Sequence, residues 1–215
     1  MAEKQVYLDS NRRELYVIGH GREKGMNPYY ACLYRASLDG RGEVELLTPE
    51  DANHGVEISP SGNYFVDNYS RVDLAPRSVL RDRNGKLICE LAEADLSALY
   101  AMGWKMPERF TVKAADGVTD LYGVMWTPFD IDTTRKYPII SYVYPGPQGE
   151  ALDLNFTATG NHNAALAQVG FIVVHMGHRG GSPLRDRAYR TYGYGNLRDY
   201  PLADDKHAIE QLATR

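Results

Sequence analysis

Tyr144 is the residue whose setting most calls for a chemical explanation. It follows the apolar run Ile139-Ile140-Ser141-Tyr142-Val143 and stands directly before Pro145, Gly146, Pro147 and Gly149. The run has the length and β-branched character of a buried strand, and Pro138 occupies a first position where a strand tolerates proline. Proline then removes a backbone donor and glycine permits angles that no strand uses, so the strand must end here in a stiff loop. Loops at the C-terminal ends of strands are where α/β folds keep their chemistry, and a tyrosine held there can present a phenolic O–H donor to a reacting group. A ring packed on its own prolines is the bland alternative.

Other side chains raise chemical questions that their surroundings answer more plainly. His175 and His178, in HMGHRGGSPLRDR, are spaced so that two imidazoles could lie near each other, but no nearby carboxylate or thiolate completes a metal set and the segment is a strand end. Gly19-His20-Gly21 and Gly193-Tyr194-Gly195 lack the strand-to-helix setting of a phosphate cradle, so their glycines are expected in turns. Asp204 and Asp205 open the last helix, where carboxylates satisfy free N–H groups and favour the dipole. His54, in ANHGVEIS, reads as a hydrogen-bonded residue at a strand turn. Cys32 and Cys89 lie in strand-like runs without metal-ligand spacing and read as small buried hydrophobes.

The elements that must position these residues fall into two kinds. Up to about residue 98 the chain consists of short strand-like runs, ELYVIG, YYACLYRASL, VELLT, GVEIS, NYFVDNYS, SVLRD and KLICEL. They are separated by turns at Asp9-Ser10-Asn11, Leu38-Asp39-Gly40, Ser59-Pro60-Ser61-Gly62 and Arg83-Asn84-Gly85. ELYVIG pairs with NYFVDN, and LYRASLDG with VLRDRNGK, at an offset of roughly 45 to 50 residues, the length of one propeller blade. A helix-like piece, AEADLSALYAMG, closes this half. After Pro107 come a hairpin (strands 109–114 and 120–127 around Asp116-Gly117), the strand before Tyr144, an amphipathic helix through 163–168, the strand FIVVHM and a final helix at LADDKHAIEQLA. A hairpin followed by strand, helix, strand, helix predicts a mixed sheet with two main helices. The net charge of −4 and the absence of Lys/Arg clusters argue against nucleic acid or anionic membrane as the main partner. No apolar stretch approaches the roughly 18 residues of a membrane span, and the N-terminus has no signal-peptide core. Sixteen tyrosines against five phenylalanines suit β-rich surfaces and peptide-contacting clefts.

Over nearly its whole length this sequence resembles the prolyl oligopeptidase family of serine peptidases (S9), and within it the dipeptidyl peptidase IV branch. The resemblance is carried by NPYYACLYRASLDG, LTPE, HGVEISPSGNYFVDNYS and VLRDRNGK, and then by PERFTVKAADGVTDLYGVMWTP, YPIISYVYPGPQ, GFIVVHMGHRGGSPLRDRAY and YGNLRDYPLADDKHAIEQLA. YVYPGPQ with the downstream arginine-glycine loop is the most specific part. The resemblance implies β-propeller blades over residues 1–98. Residues 99–215 would be a partial α/β-hydrolase domain, a mixed sheet with helices, truncated before the nucleophile elbow. It implies an exopeptidase that releases short N-terminal peptides after proline or alanine through an acyl-enzyme, without metal or organic cofactor. Peptides would be its substrates, the propeller a size filter, a homodimer the full-length assembly, and the periplasm or cell exterior its location.

By the same resemblance Tyr144 is an oxyanion-hole donor, Arg179 and Gly180 match the family's arginine-glycine loop, and Asp204 ties the last helix to that loop. The acidic residue usual two positions before the arginine is Gly177 here, which leaves the loop's ion pairing without its expected partner. No G-x-S-x-G occurs, so the catalytic Ser, Asp and His are expected elsewhere than in this chain, which should be inactive alone. Neither Ser141 nor His175 is a substitute. The family's glutamate pair for a substrate amino terminus also has no match, which leaves dipeptidyl and oligopeptidyl specificity open. An acylaminoacyl-peptidase or esterase on the same scaffold, or a non-catalytic propeller module, are the competing readings.

Overall fold

Alternating apolar and polar residues along β-branched runs build two four-stranded antiparallel meanders in the first half of the chain. The computed structural model describes residues 1–144, 146–150 and 152–215, which form two units, Met1–Asp95 and Leu96–Arg215. Pro145, placed by its sequence in the Tyr144 loop, lies outside the described residues.

In the first unit β1 (Ala2–Asp9), β2 (Glu14–Gly19), β3 (Cys32–Ser37) and β4 (Glu45–Leu46) make one sheet in chain order. The second sheet is β5 (Asn53–Ile58), β6 (Tyr64–Arg71), β7 (Leu74–Asp82) and β8 (Leu87–Glu93). The two similar sequence pairs occupy equivalent places: ELYVIG and NYFVDN form the second strands, and LYRASLDG and VLRDRNGK fall on the third strands and their exits. Tyr16, Ile18 and Leu33 of the first sheet, with Leu47 just past β4, pack with Phe65, Val56 and Ile58 of the second. These antiparallel sheets fit a propeller's N-terminal region, and among the described residues no sheet closes on itself.

Two details depart from expectation. The first strand expected from the sequence is ELYVIG, yet the polar segment AEKQVYLD pairs along β2 as β1. Its side chains are mostly exposed, so it lacks the apolar alternation that marks a strand. Cys32 is buried as expected, but Cys89 is exposed, because β8 is the outer strand of its sheet and all seven of its residues are exposed.

In the second unit the order is β11 (Ile139–Tyr142), β12 (Ile172–Met176), β10 (Asp120–Trp126), β9 (Glu108–Lys113). β9 and β10 form the expected antiparallel hairpin, β10 runs antiparallel to β12, and β12 runs parallel to β11. Phe110, Val112, Leu121, Val174 and Met176 gather on one face with Ala208 and Leu212 of α4 (Leu202–Leu212). α2 (Asn163–Ala167) packs on β12 and β10, and Gly160 just before it lies against the Trp126 indole. The helices are shorter than predicted. Ala92 and Glu93 extend β8, which leaves α1 (Ser97–Ala101) one turn long. α2 starts at Asn163 as expected, directly after left-handed His162, and ends one residue early at Ala167, with Gly170 soon after it. Among the described residues only α4, at 11 residues, is a helix of several turns; α3 (Arg187–Arg190) has four residues. Among the described residues no helix is long and apolar enough to cross a membrane.

Candidate active site

β11 delivers Tyr144 two residues beyond its last paired position, Tyr142. The Tyr144 side chain is 55% exposed, and among the described residues its hydroxyl has no hydrogen-bond partner. Its ring lies over the loop backbone: a Cβ on Gly149 would sit 3.1 Å from Tyr144 Cε1, and one on Gly146 3.5 Å. Glycine at these positions lets the ring rest on the chain with its O–H free.

The loop that follows is fastened to the arginine-glycine loop after β12. Gln148 N–H donates to the Gly180 carbonyl at 2.9 Å, and Glu150 N–H to the Gly181 carbonyl at 2.7 Å. Gln148 Nε2 also donates to Tyr194 Oη at 2.6 Å. Gly180 has φ +90°, and a Cβ there would approach Tyr200 Cε2 to 2.6 Å, so backbone conformation and space both require glycine.

Arg179 anchors this second loop. Its Nε and Nη2 fork onto the Asp204 carboxylate at 2.7 to 3.2 Å, its own N–H donates to Asp204 Oδ2 at 3.0 Å, and its Nη1 reaches Asp116 Oδ2 at 2.9 Å. The guanidinium stacks 4.0 Å from the centroid of Tyr192. Arg179 therefore has two carboxylate partners although Gly177 stands where an acidic residue was expected, one from α4 and one from the β9–β10 turn. Asp204 is fully buried and also accepts from Ala115 N–H, and such a fork-on-carboxylate pair survives burial because its lone pairs are satisfied. The Asp204 bonds hold the guanidinium firmly in its charged form, and Thr119's hydroxyl and N–H keep the Asp116 carboxyl below its usual range.

The expected capping role of Asp204 and Asp205 is not what the structure shows. Pro201 caps α4 without a side-chain bond, Asp204 turns inward to Arg179, and Asp205 accepts from Ser141 Oγ at 2.8 Å. Both carboxylates take tertiary donors, a guanidinium for Asp204 and a hydroxyl for Asp205, in place of the first-turn amides. Burial raises the Asp205 pKa, with the Ser141 bond opposing it.

His175 and His178 do not converge on one point. His175 Nδ1 meets Asp153 Oδ2 at 3.2 Å and its ring stands edge-on to Tyr142, whereas His178 Nε2 meets Tyr200 Oη at 3.4 Å. Burial pushes the His178 pKa down. The glycines of Gly193-Tyr194-Gly195 serve a turn, with Gly193 pressed against Tyr200, while Gly19 ends β2 as a strand residue rather than a turn residue.

A charge cluster escaped sequence reading in the first unit. His54, expected at a strand turn, lies within β5 and is buried, with Nδ1 2.8 Å from Asp67 Oδ1 and Nε2 3.1 Å from the Glu50 carbonyl. Ligand-type atoms of Glu50, His54 and Asp67 lie within 4.8 Å of one another. Arg81 bonds both carboxylates, at 2.6 Å to Glu50 and 3.0 Å to Asp67. Its positive charge already sits where a cation would bind, so the cluster is an internal ion-pair network. The members are dispersed over 31 residues of chain, and no spacing motif announces them.

Residues 2–76 match the family model of the dipeptidyl peptidase IV (DPP IV) N-terminal region. Human dipeptidyl peptidase 8 is 28% identical over 98% of this chain and 24% of its own length. An Emericella nidulans protein named "Probable dipeptidyl-aminopeptidase B" is 30% identical over 85% of this chain and 20% of its own. Together these matches support a segment of the dipeptidyl peptidase IV branch of the S9 peptidases. A Bacteroides ovatus chain named "putative dipeptidyl aminopeptidase IV" shares the fold, with a TM-score of 0.80 and 24% identity over 99% of this chain and 29% of that one. The family model falls within the first unit, while the dipeptidyl peptidase 8 alignment extends through both. The chain spans between a fifth and a quarter of the curated relatives it matches.

Proposed function

We propose that this chain is the propeller-to-catalytic-domain segment of a serine exopeptidase, with Tyr144 as one donor of its oxyanion hole. The observation that carries the reading is the uncommitted phenol of Tyr144 at the C-terminal end of a parallel strand, on a loop hung from the Arg179 loop. The antiparallel sheets of the first unit are read as blades ending near residue 98. The β9–β10 hairpin followed by the parallel β11–β12 pair is read as the opening of an α/β-hydrolase sheet over residues 99–215.

In this reading a nucleophilic serine, carried by a G-x-S-x-G elbow outside the present sequence, attacks the scissile carbonyl of a short peptide. The alkoxide that forms accepts a hydrogen bond from the Tyr144 O–H, which strengthens as charge develops and so lowers the barrier. Cleavage after proline or alanine, and a periplasmic or extracellular location, belong to the same proposal and rest on the family resemblance of the sequence alone.

The test is Tyr144→Phe in a polypeptide that joins this chain to a nucleophile-bearing continuation. The substitution keeps the ring and deletes the donor. Turnover of a Xaa-Pro amide should fall about 100-fold in kcat, with KM changing far less and thermal stability hardly at all. Near-normal kcat would return Tyr144 to a packing role.

A further inference from the structure

We infer that Arg179 and Asp204, with Asp116, are positioning residues for Tyr144, and that the β9–β10 turn is thereby coupled to the geometry of that loop. The inference rests on the reading of Tyr144 given above, but the placement it describes is independent of any chemistry.

The path is continuous and short. Asp116 and Ala115, in the β9–β10 turn, bond Arg179 and Asp204 respectively. Asp204, fully buried on α4, accepts from the Arg179 backbone and from its guanidinium. Held at backbone and side chain together, Arg179 cannot rotate its peptide without breaking charged bonds. Its neighbours Gly180 and Gly181 then aim their carbonyls at Gln148 and Glu150. Gly180 N–H is itself pinned to the Tyr189 carbonyl at 2.7 Å, and Gly181 N–H, which shares a peptide plane with the Gly180 carbonyl, to the His178 carbonyl at 3.0 Å, so the direction of the Gly180 carbonyl is fixed. The two donating amides belong to the segment on whose glycines the Tyr144 ring rests.

Shape enforces the same coupling. A Cβ on Gly181 would stand 3.0 Å from Glu150 Cβ, so the two loops touch at van der Waals distance and move together. Gln148 adds a side-chain tie to Tyr194, which lies in the turn that also carries Tyr192, the ring stacked on Arg179. A charge hub of one arginine and two carboxylates thus sets the position of a phenol with which it makes no direct contact.

Amide hydrogen exchange of the 215-residue chain, followed residue by residue, tests this without a catalytic assay. Arg179→Lys keeps the charge but loses the fork that spans two carboxylates. Exchange at Gln148 and Glu150 is expected to quicken at least about tenfold, while Val124 and Val174 in the central strands stay protected. A fluorine resonance of 3-fluorotyrosine at position 144 should shift in the same variant. Unchanged exchange at Gln148 and Glu150 overturns the inference, and so does a rise shared equally with the central strands, which would make Arg179 a general stabiliser. Should Arg179→Lys fail to fold, Asp116→Asn decides: a rise of about threefold confined to the same two amides supports the coupling, and no change refutes it. The two readings fail separately. Faster exchange with a kinetically silent Tyr144→Phe would keep the positioning and discard the oxyanion role, whereas unmoved exchange with a damaging Tyr144→Phe would do the reverse.

Discussion

At the scale of single residues, two aspartates in the second unit are driven in opposite directions and should leave opposite marks on stability. Burial raises the Asp205 pKa above its ordinary 3.8, so between that value and its folded-state pKa the folded chain holds a proton that the unfolded chain has released. Its contribution is fully present below about pH 4 and is lost as pH rises through the folded-state pKa. Asp116 is the converse. Bonds from Thr119, aided by Val118 N–H and the Arg179 charge, depress its pKa, so its contribution is present above 3.8 and is lost as pH falls toward the folded-state value. Asp205→Asn keeps an oxygen to accept from Ser141 and should gain thermal stability over the parent as pH rises from about 4 to 7. Asp116→Asn should show a deficit against the parent that is nearly constant above about pH 4 and shrinks as pH falls below about 3.8, where the parent loses the contribution of its carboxylate. Melting temperatures followed through both windows would run parallel for all three proteins if burial and Thr119 did not govern these carboxyls.

At the scale of elements, the β7–β8 hairpin shows how a turn residue answers to its neighbours as well as to its own strand pair. Arg83-Asn84-Gly85 was legible as a turn, and Gly85 has φ +80°, which alone favours glycine. The structure adds a second constraint, since a Cβ there would meet the Leu47 carbonyl oxygen at 2.5 Å. Leu47 is backbone just past β4 in the other sheet and has no flexible end to swing aside. Gly85→Ala therefore combines a strained backbone with a backbone clash, and should cost roughly 1–3 kcal/mol. Thermal or urea unfolding of the first unit would measure it. A change within about 0.5 kcal/mol would mean that the sheets separate at this corner without penalty.

At the scale of the whole molecule, an oxyanion donor without nucleophile or base retains little catalysis. The purified 215-residue chain is therefore expected to leave a Gly-Pro chromogenic amide unhydrolysed. Turnover that co-purifies with it and persists in Tyr144→Phe would contradict both the site and the need for a nucleophile beyond this sequence. The relatives' lengths agree with a larger working protein, because the matched segments make up a fifth to a quarter of each.

What the sequence determined by itself is local. Apolar alternation and turn chemistry placed seven of the strands in the first unit and both strands of the β9–β10 hairpin, because period-two burial and positive-φ glycines are properties of neighbouring residues. The loop carrying Tyr144 was legible for the same reason, proline and glycine acting on their own backbone. Polar β1 was missed, since its pairing is paid for by hydrogen bonds to β2 and leaves no apolar period to read. The partners of the charges were not written in their neighbours. Asp204 reads locally as a helix cap, and only the family resemblance tied it to the arginine-glycine loop, where the structure makes it Arg179's counter-ion across 25 residues of chain; Asp116, joining from 63 residues away, was decided by tertiary structure alone. Those pairings depend on how β12, α4 and the hairpin turn come together, and a charged group, once buried, takes whichever donors the packed elements bring within reach.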